Sequence, residues 1–217
     1  FSDAQIALES AYVKIEDGCE CRCAYCIIPQ ARGRVRSKNE EDIIREVQTL
    51  VAGGTREVVL TGIETGSYGR DTGSSLLQLL SPLDNIEGLE RIRMGSLDPY
   101  IINDAFVSGI AEIRHAAPHF HFSMQSGSDE VLRAMRRRYL SGQALERLEK
   151  LRAVLPDVQY TTDILLGFPG ETDRNFEETV AFARQARFLF MHIFPYSRRK
   201  NTVAASMPNQ IPDAVKH

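Results

Sequence analysis

Four cysteines stand within eight residues, Cys19, Cys21, Cys23 and Cys26, and the 217-residue chain has no others. A disulfide framework scatters its cysteines to close loops, so this clustering reads as metal or cluster ligation in a reducing compartment. Cys19, Cys23 and Cys26 have the spacing C-x3-C-x2-C. Thiolates are the natural ligands of iron–sulfur clusters. Three of them can hold three irons of a four-iron cube and leave the fourth iron open to a small molecule. A structural zinc site is the alternative, but it usually takes two well-separated ligand pairs. Cys21 is surplus to the three-residue pattern and is expected to face away from it.

A loop of this kind needs a scaffold. Val47, Leu50 and Val51 continue an apolar face begun at Ile43 and Ile44, which predicts a helix from Asn39 to Ala52, with Ser37 and Glu40 as a capping box and Gly53 as its stop. Glu57–Thr61 is a β-branched, buried-type strand. Further strands are expected at 11–16, 90–94, His119–Gln125, Gln159–Leu166 and Phe188–Tyr196. Helices are expected at 74–80 and 100–112, from Ser128, from Ser141, and after Thr172. This makes about six strand–helix units, an α/β pattern of parallel strands with outer helices. A closed eight-unit barrel takes about 250 residues, so the expected architecture is an open, partial TIM-like barrel, with a doubly wound sheet as the alternative. Loops at the carboxyl ends of such strands carry function. The cysteine loop, Thr61-Gly62-Ile63-Glu64, Gln125-Ser126-Gly127, Gly167–Glu171 and Pro195–Arg198 all fall there.

Composition is that of a globular chain, 43% hydrophobic and 25% charged. Its apolar runs fall far below the roughly 18 residues of a membrane helix, and the expected setting is cytoplasmic. The net charge of -3 argues against a wholly basic nucleic-acid-binding surface but leaves room for local basic clusters at Arg136–Arg138 and Arg198–Lys200. His119 and His121 share a strand face by period two. With His192 they lack a further ligand at metal-binding spacing, so they are expected to be core or rim histidines.

The cysteine spacing is similar to that of the radical S-adenosylmethionine (SAM) superfamily. Over nearly its whole length the chain resembles the tRNA methylthiotransferases, through Cys26-Ile27-Ile28-Pro29, Gln125-Ser126-Gly127-Ser128-Asp129 and Gly167-Phe168-Pro169-Gly170-Glu171. Leu60-Thr61-Gly62-Ile63 and Phe194-Pro195-Tyr196-Ser197-Arg198-Arg199 resemble the branch acting on threonylcarbamoyladenosine. Departures are Glu64, where a His or similar residue is usual, and Lys200-Asn201-Thr202-Val203, where Pro-Gly-Thr-Pro follows the arginines in relatives.

The resemblance implies a 4Fe-4S cluster on Cys19, Cys23 and Cys26, and SAM cleaved reductively to a deoxyadenosyl radical. The implied product is a methylthiolated threonylcarbamoyladenosine beside the tRNA anticodon. Other implied cofactor contacts are Tyr25 near the adenine, Gly62 at the methionine moiety, Gln125 and Ser126 as hydrogen-bonding groups, and Arg136 as a guanidinium fork for the carboxylate. Asp163 is expected to meet a ribose hydroxyl or to pair with an Arg. Arg198 serves either cofactor or substrate, and Glu171 caps the following helix. Implied partners are the tRNA anticodon stem-loop, bound weakly by this chain alone, and an external electron donor, with no membrane and a monomeric state. The alternatives are another radical SAM reaction, or a non-catalytic, zinc-stabilised RNA-binding module.

On this resemblance, residues 1–206 are expected to be the radical SAM core, and 207–217 a carboxy-terminal extension toward an absent RNA-binding domain. A second 4Fe-4S cluster is expected only on an amino-terminal domain, also absent, so the isolated core is not expected to complete the full reaction.

Overall fold

The structure, a computed structural model, describes residues 10–216. Residues 1–9 and 217, which the expected domain bounds include, lie outside the described residues. Six parallel strands form the frame: β1 (Ser10–Lys14), β4 (Glu57–Thr61), β5 (Arg91–Met94), β6 (His119–Gln125), β7 (Gln159–Leu166) and β8 (Phe190–Pro195). They form two three-stranded sheets, β1-β4-β5 and β6-β7-β8. Parallel bridges Ile92–Ala116 and Leu97–Phe122 join the two sheets at β5 and β6. The spatial order therefore follows the chain order. A doubly wound sheet reverses direction at a switch point, and this one does not, so the partial TIM-like arrangement is the one observed.

Two short strands, β2 (Glu16–Asp17) and β3 (Arg36–Ser37), pair antiparallel. They split off the end of the strand expected at 11–16 and clamp the base of the cysteine loop. Inside that loop lies α1 (Ile28–Arg32), which has Pro29 in its first turn. The longer helices are α2 (Glu40–Ala52), α3 (Leu76–Leu83), α4 (Asp104–Ala111), α5 (Asp129–Ala134), α6 (Ser141–Val154) and α7 (Asp173–Ala186), and α8 (Asp213–Lys216) is a final turn. None among the described residues is long and apolar enough to cross a membrane.

Alternation in β6 shows why the strands bury one face. Phe120, Phe122 and Met124 are fully buried, whereas His119, His121, Ser123 and Gln125 are half-exposed on the other face. Burial of each such aromatic contributes roughly 1.5–3 kcal/mol. Tyr160 and Ile164 of β7 join the same core. A second, smaller cluster of Ala24, Val131, Met135, Phe168, Tyr196 and Ala204 seats the cysteine loop on the rim. In it, the Phe168 and Tyr196 rings meet edge to face at 5.6 Å.

Caps differ from expectation at α2. Its cap is Asn39, whose side chain accepts from the amides of Glu41 and Asp42. Ser37 is instead held by Asp71, through its amide at 2.9 Å and its hydroxyl at 2.6 Å. Thr172 does cap α7, in a reciprocal box with Asn175. Glu171 does not cap that helix. It accepts from the amides of Gly167 and Phe168 and closes the Gly167–Gly170 turn. The last residues fold back onto the rim, with the Gly170 amide donating to Asn209 O and Lys216 Nζ to Tyr196 O.

Candidate active site

The cysteine loop leaves β2 through Gly18, at φ 89°, with its backbone packed on the returning chain. A Cβ there would lie 2.0 Å from Arg34 O, so only glycine fits. Asp17 draws in Lys14 at 2.8 Å, with Arg32 and Arg36 farther off. Two backbone bonds fix the far side: the Ala24 amide donates to Met135 O at 2.9 Å, and the Ala204 amide to Ala24 O at 2.8 Å.

All four cysteines open on one cavity of about 190 Å³. Its other walls come from the carboxyl ends of three strands: Ile63 and Glu64 after β4, Ser96 and Asp98 after β5, and Ser123 and Gln125 of β6. The expected convergence of the cysteine loop with Gln125 on one rim is thus present. Gln125 has a left-handed backbone, φ 69°, a conformation uncommon for a residue with a side chain. Tyr25 lines the same cavity, and burial pushes its phenol up.

Cys21 does not face away as expected; it lines the cavity too. A hydrogen bond from Cys21 holds the Cys19 thiol below its usual range, while the same contact and burial push Cys21 up. The two shifts run in opposite directions because one hydrogen bond joins the two sulfurs. Burial also raises Cys26, although its sulfur accepts from the Ile28 amide at 3.4 Å. Among the described residues, no three Cys, His, Asp or Glu side chains gather where a single metal ion could sit. Cysteine side chains spread around a common cavity, each able to take its own iron, fit an iron–sulfur cluster.

The arginines are placed differently from expectation. Arg136, expected at the cofactor, is exposed and ends α5 in a left-handed conformation, φ 59°. That is a helix-terminating geometry usually left to glycine. The reversal turns the next side chain inward. Arg137, expected at solvent or RNA, has a side chain only 5% exposed, which pairs with the equally buried Asp98 carboxylate at 3.1 Å. It also donates to Ser123 O at 2.7 Å and to Cys23 Sγ at 3.2 Å. Arg138 reaches the same Asp98 at 3.4 Å and lies over the Tyr100 ring. Asp98 and Arg137 were missed because the run of three arginines looks like a solvated charge cluster. The one available signal was Asp98-Pro99, a carboxylate at a strand end.

The remaining expected residues lie apart from the cavity lining. Gly62 makes room for the Glu16 side chain, whose Oε1 would be 2.0 Å from an added Cβ. Ser126 is buried, its hydroxyl tied to Thr179 at 3.2 Å and to the Ser128 amide at 3.1 Å. Asp163 does not pair with an Arg; its partner is His121 Nε2, at 3.2 Å across the β6–β7 register. His121 and His119 both bond Thr161 Oγ1, so they are rim histidines in a hydrogen-bonded row. Arg198 is exposed and donates to Ala205 O at 2.7 Å.

Glu16 was also missed. It is 2% exposed and accepts from the Glu64 amide at 2.8 Å, leaving Oε2 without a partner among the described residues. Burial raises its carboxyl from 4.5 to about 7. The folded chain therefore holds this proton more tightly than the unfolded chain, and between those two values rising pH favours unfolding. A shift of this size corresponds to a loss of about 3 kcal/mol from pH 4.5 to 7. Glu16→Gln should flatten that slope and raise stability at pH 8, as read by urea unfolding of the metal-free chain at several pH values; equal slopes in the two proteins would contradict the assignment.

Residues 13–183 match the Radical SAM superfamily. The chain is 44% identical over 210 residues to the tRNA-2-methylthio-N(6)-dimethylallyladenosine synthase of Caldicellulosiruptor saccharolyticus, covering 96% of this chain and 45% of that protein. It is 43% identical over 209 residues to the threonylcarbamoyladenosine tRNA methylthiotransferase MtaB of Bacillus subtilis, covering 95% and 46%. The chain thus spans less than half the length of these curated relatives. Among solved structures, the radical S-adenosylmethionine methyltransferase TsrM from Kitasatospora setae, with cobalamin and a 4Fe-4S cluster bound, superposes with a TM-score of 0.74 at 17% identity, over 90% of this chain and 36% of that one. Methylornithine synthase PylB gives 0.63 at 12% identity, over 93% and 57%.

Proposed function

From the premise that the chain belongs to the radical SAM superfamily, we propose that it is the catalytic core of a tRNA methylthiotransferase acting on an N6-modified adenosine beside the anticodon. The observation that carries this reading is the meeting of Cys19, Cys23 and Cys26 with Gln125 on one strand-end cavity. The three cysteines are the proposed cluster ligands. When bound, a 4Fe-4S cluster and SAM together supply one-electron reductive cleavage of a carbon–sulfur bond. The protein's part is binding, orientation and exclusion of water. Tyr25 and Ile28 give the cavity apolar wall, while Gln125, Ser96 and Ser123 offer hydrogen-bonding groups.

Relatives named for dimethylallyladenosine and for threonylcarbamoyladenosine are equally near in identity. The Phe194–Arg199 stretch favours threonylcarbamoyladenosine as the substrate. The test is anaerobic reconstitution with iron and sulfide, then reductant, SAM and tRNA bearing one or the other modification. Deoxyadenosine formation supports the radical enzyme, and mass spectrometry of the nucleosides identifies the substrate. Full cluster loading with no deoxyadenosine would count against it.

RNA binding by these residues alone should be weak and salt-sensitive. Arg137 and Arg138 are engaged with Asp98, so the available cations of the two expected clusters are Arg136 and the exposed Arg198, Arg199 and Lys200. Each phosphate neutralised contributes about 0.9 to the slope of log affinity against log salt. Filter retention across a salt series should show a slope of a few units; tight, salt-indifferent binding would contradict it.

A further inference from the structure

We infer that Arg137 is a positioning residue for the Cys23 thiolate, and that it sets how readily a cluster bound there accepts an electron. The inference rests on the cluster reading above but concerns a residue that the cysteine pattern does not include.

Arg137 has two separable jobs in the geometry. One nitrogen of its fork, Nη2, faces Asp98 Oδ2 at 3.1 Å and Ser123 O at 2.7 Å. The other, Nη1, donates to Cys23 Sγ at 3.2 Å. A planar fork can hold both partners at once, which a single ammonium cannot. The side chain is 5% exposed, so water screens this contact little.

Its approach is built into the backbone. The left-handed Arg136 ends α5 and directs Arg137 inward, and the neighbouring Met135 carbonyl holds the cysteine loop at Ala24. The sulfur and its donor are thus carried by two segments tied together one residue from Cys23 and two from Arg137. Tyr139 adds a second anchor, its hydroxyl lying 3.2 Å from Nη2 and 2.7 Å from Met124 O.

A cationic donor on a ligand sulfur stabilises the more negative, reduced cluster. Hydrogen bonds to sulfur and local charge are among the factors that set cluster potentials. Removing the donor should therefore move the midpoint to a more negative value. Loss of an outer partner also typically weakens metal binding roughly 10–100-fold, so the cluster should be released faster.

The experiment uses the chain reconstituted anaerobically with iron and sulfide, without SAM or RNA. It measures the midpoint by EPR-monitored redox titration and the rate of iron loss to a chelator. Arg137→Met should give a more negative midpoint and about tenfold faster loss. Arg137→Lys keeps a charge for Asp98 and so preserves the structural pairing, but it cannot also serve Cys23. It should unfold like the wild type, lose iron faster, and show a smaller midpoint shift. If the methionine variant does not fold, the lysine variant decides. Wild-type midpoint and wild-type release in a folded variant would overturn the inference. If the wild type itself takes up no cluster, the cluster reading fails and this inference falls with it.

Discussion

Cys23→Ala is expected to abolish reductive cleavage of SAM, while Cys21→Ala keeps most of it. Both cysteines open on the same cavity, so exposure does not separate them. Spacing and partners do. Cys23 belongs to the C-x3-C-x2-C set and receives the buried Arg137 guanidinium at 3.2 Å, a donor that fixes where its sulfur sits. Cys21 lies outside that set and is hydrogen-bonded to Cys19; this contact and burial push its thiol up. Removing Cys23 leaves two thiolates of the three, and the loss should exceed the roughly 10–100-fold cost of losing an outer partner. The measurement is deoxyadenosine released after anaerobic reconstitution and reduction, with iron and sulfide counted in parallel. The opposite ranking would place Cys21 among the ligands and Cys23 outside them.

Asp98→Ala should be among the most destabilising single changes at the rim, by about 3–5 kcal/mol. Asp98 and the Arg137 side chain are each 5% exposed, and Arg138 leans on the same carboxylate. Deleting the carboxylate strands a buried guanidinium, which costs far more than breaking an exposed pair such as Arg174–Glu178; pairs of that kind contribute about 0–1 kcal/mol. The Tyr100 amide also loses its 2.8 Å acceptor. For a chain of this length the melting temperature should fall by roughly 10 °C. Urea unfolding of the metal-free chain measures it. The double variant with Arg137→Met should recover part of the loss, because no unpaired buried charge remains at position 137. A loss below about 1 kcal/mol for Asp98→Ala would mean that the pair is solvated in a way its burial does not suggest.

Much of the frame follows from local pattern. Glu57–Thr61, His119–Gln125 and Gln159–Leu166 are strands with the bounds that the sequence predicts. A strand's alternation or β-branched run is written in adjacent residues and reflects which face meets the core. The C-x3-C-x2-C spacing is equally local, since a short loop brings its own thiols together whatever surrounds it. The alternation of strands and helices likewise implies the parallel order, because parallel neighbours need a crossover between them.

What only the tertiary structure decided are the partners supplied by distant segments. Asp163 meets His121 because β6 and β7 pair in a register that no single strand encodes. Gly62 is a glycine because Glu16, 46 positions earlier, packs against it. Asn39 takes the cap of α2 because Asp71 occupies Ser37. The choice of Arg137 over Arg136 turns on a single backbone angle at the end of α5. Three consecutive arginines have the same chemistry in sequence. One left-handed residue decides which of them is buried beside a cysteine, and that conformation persists because Arg137 finds Asp98 and Ser123 waiting inside.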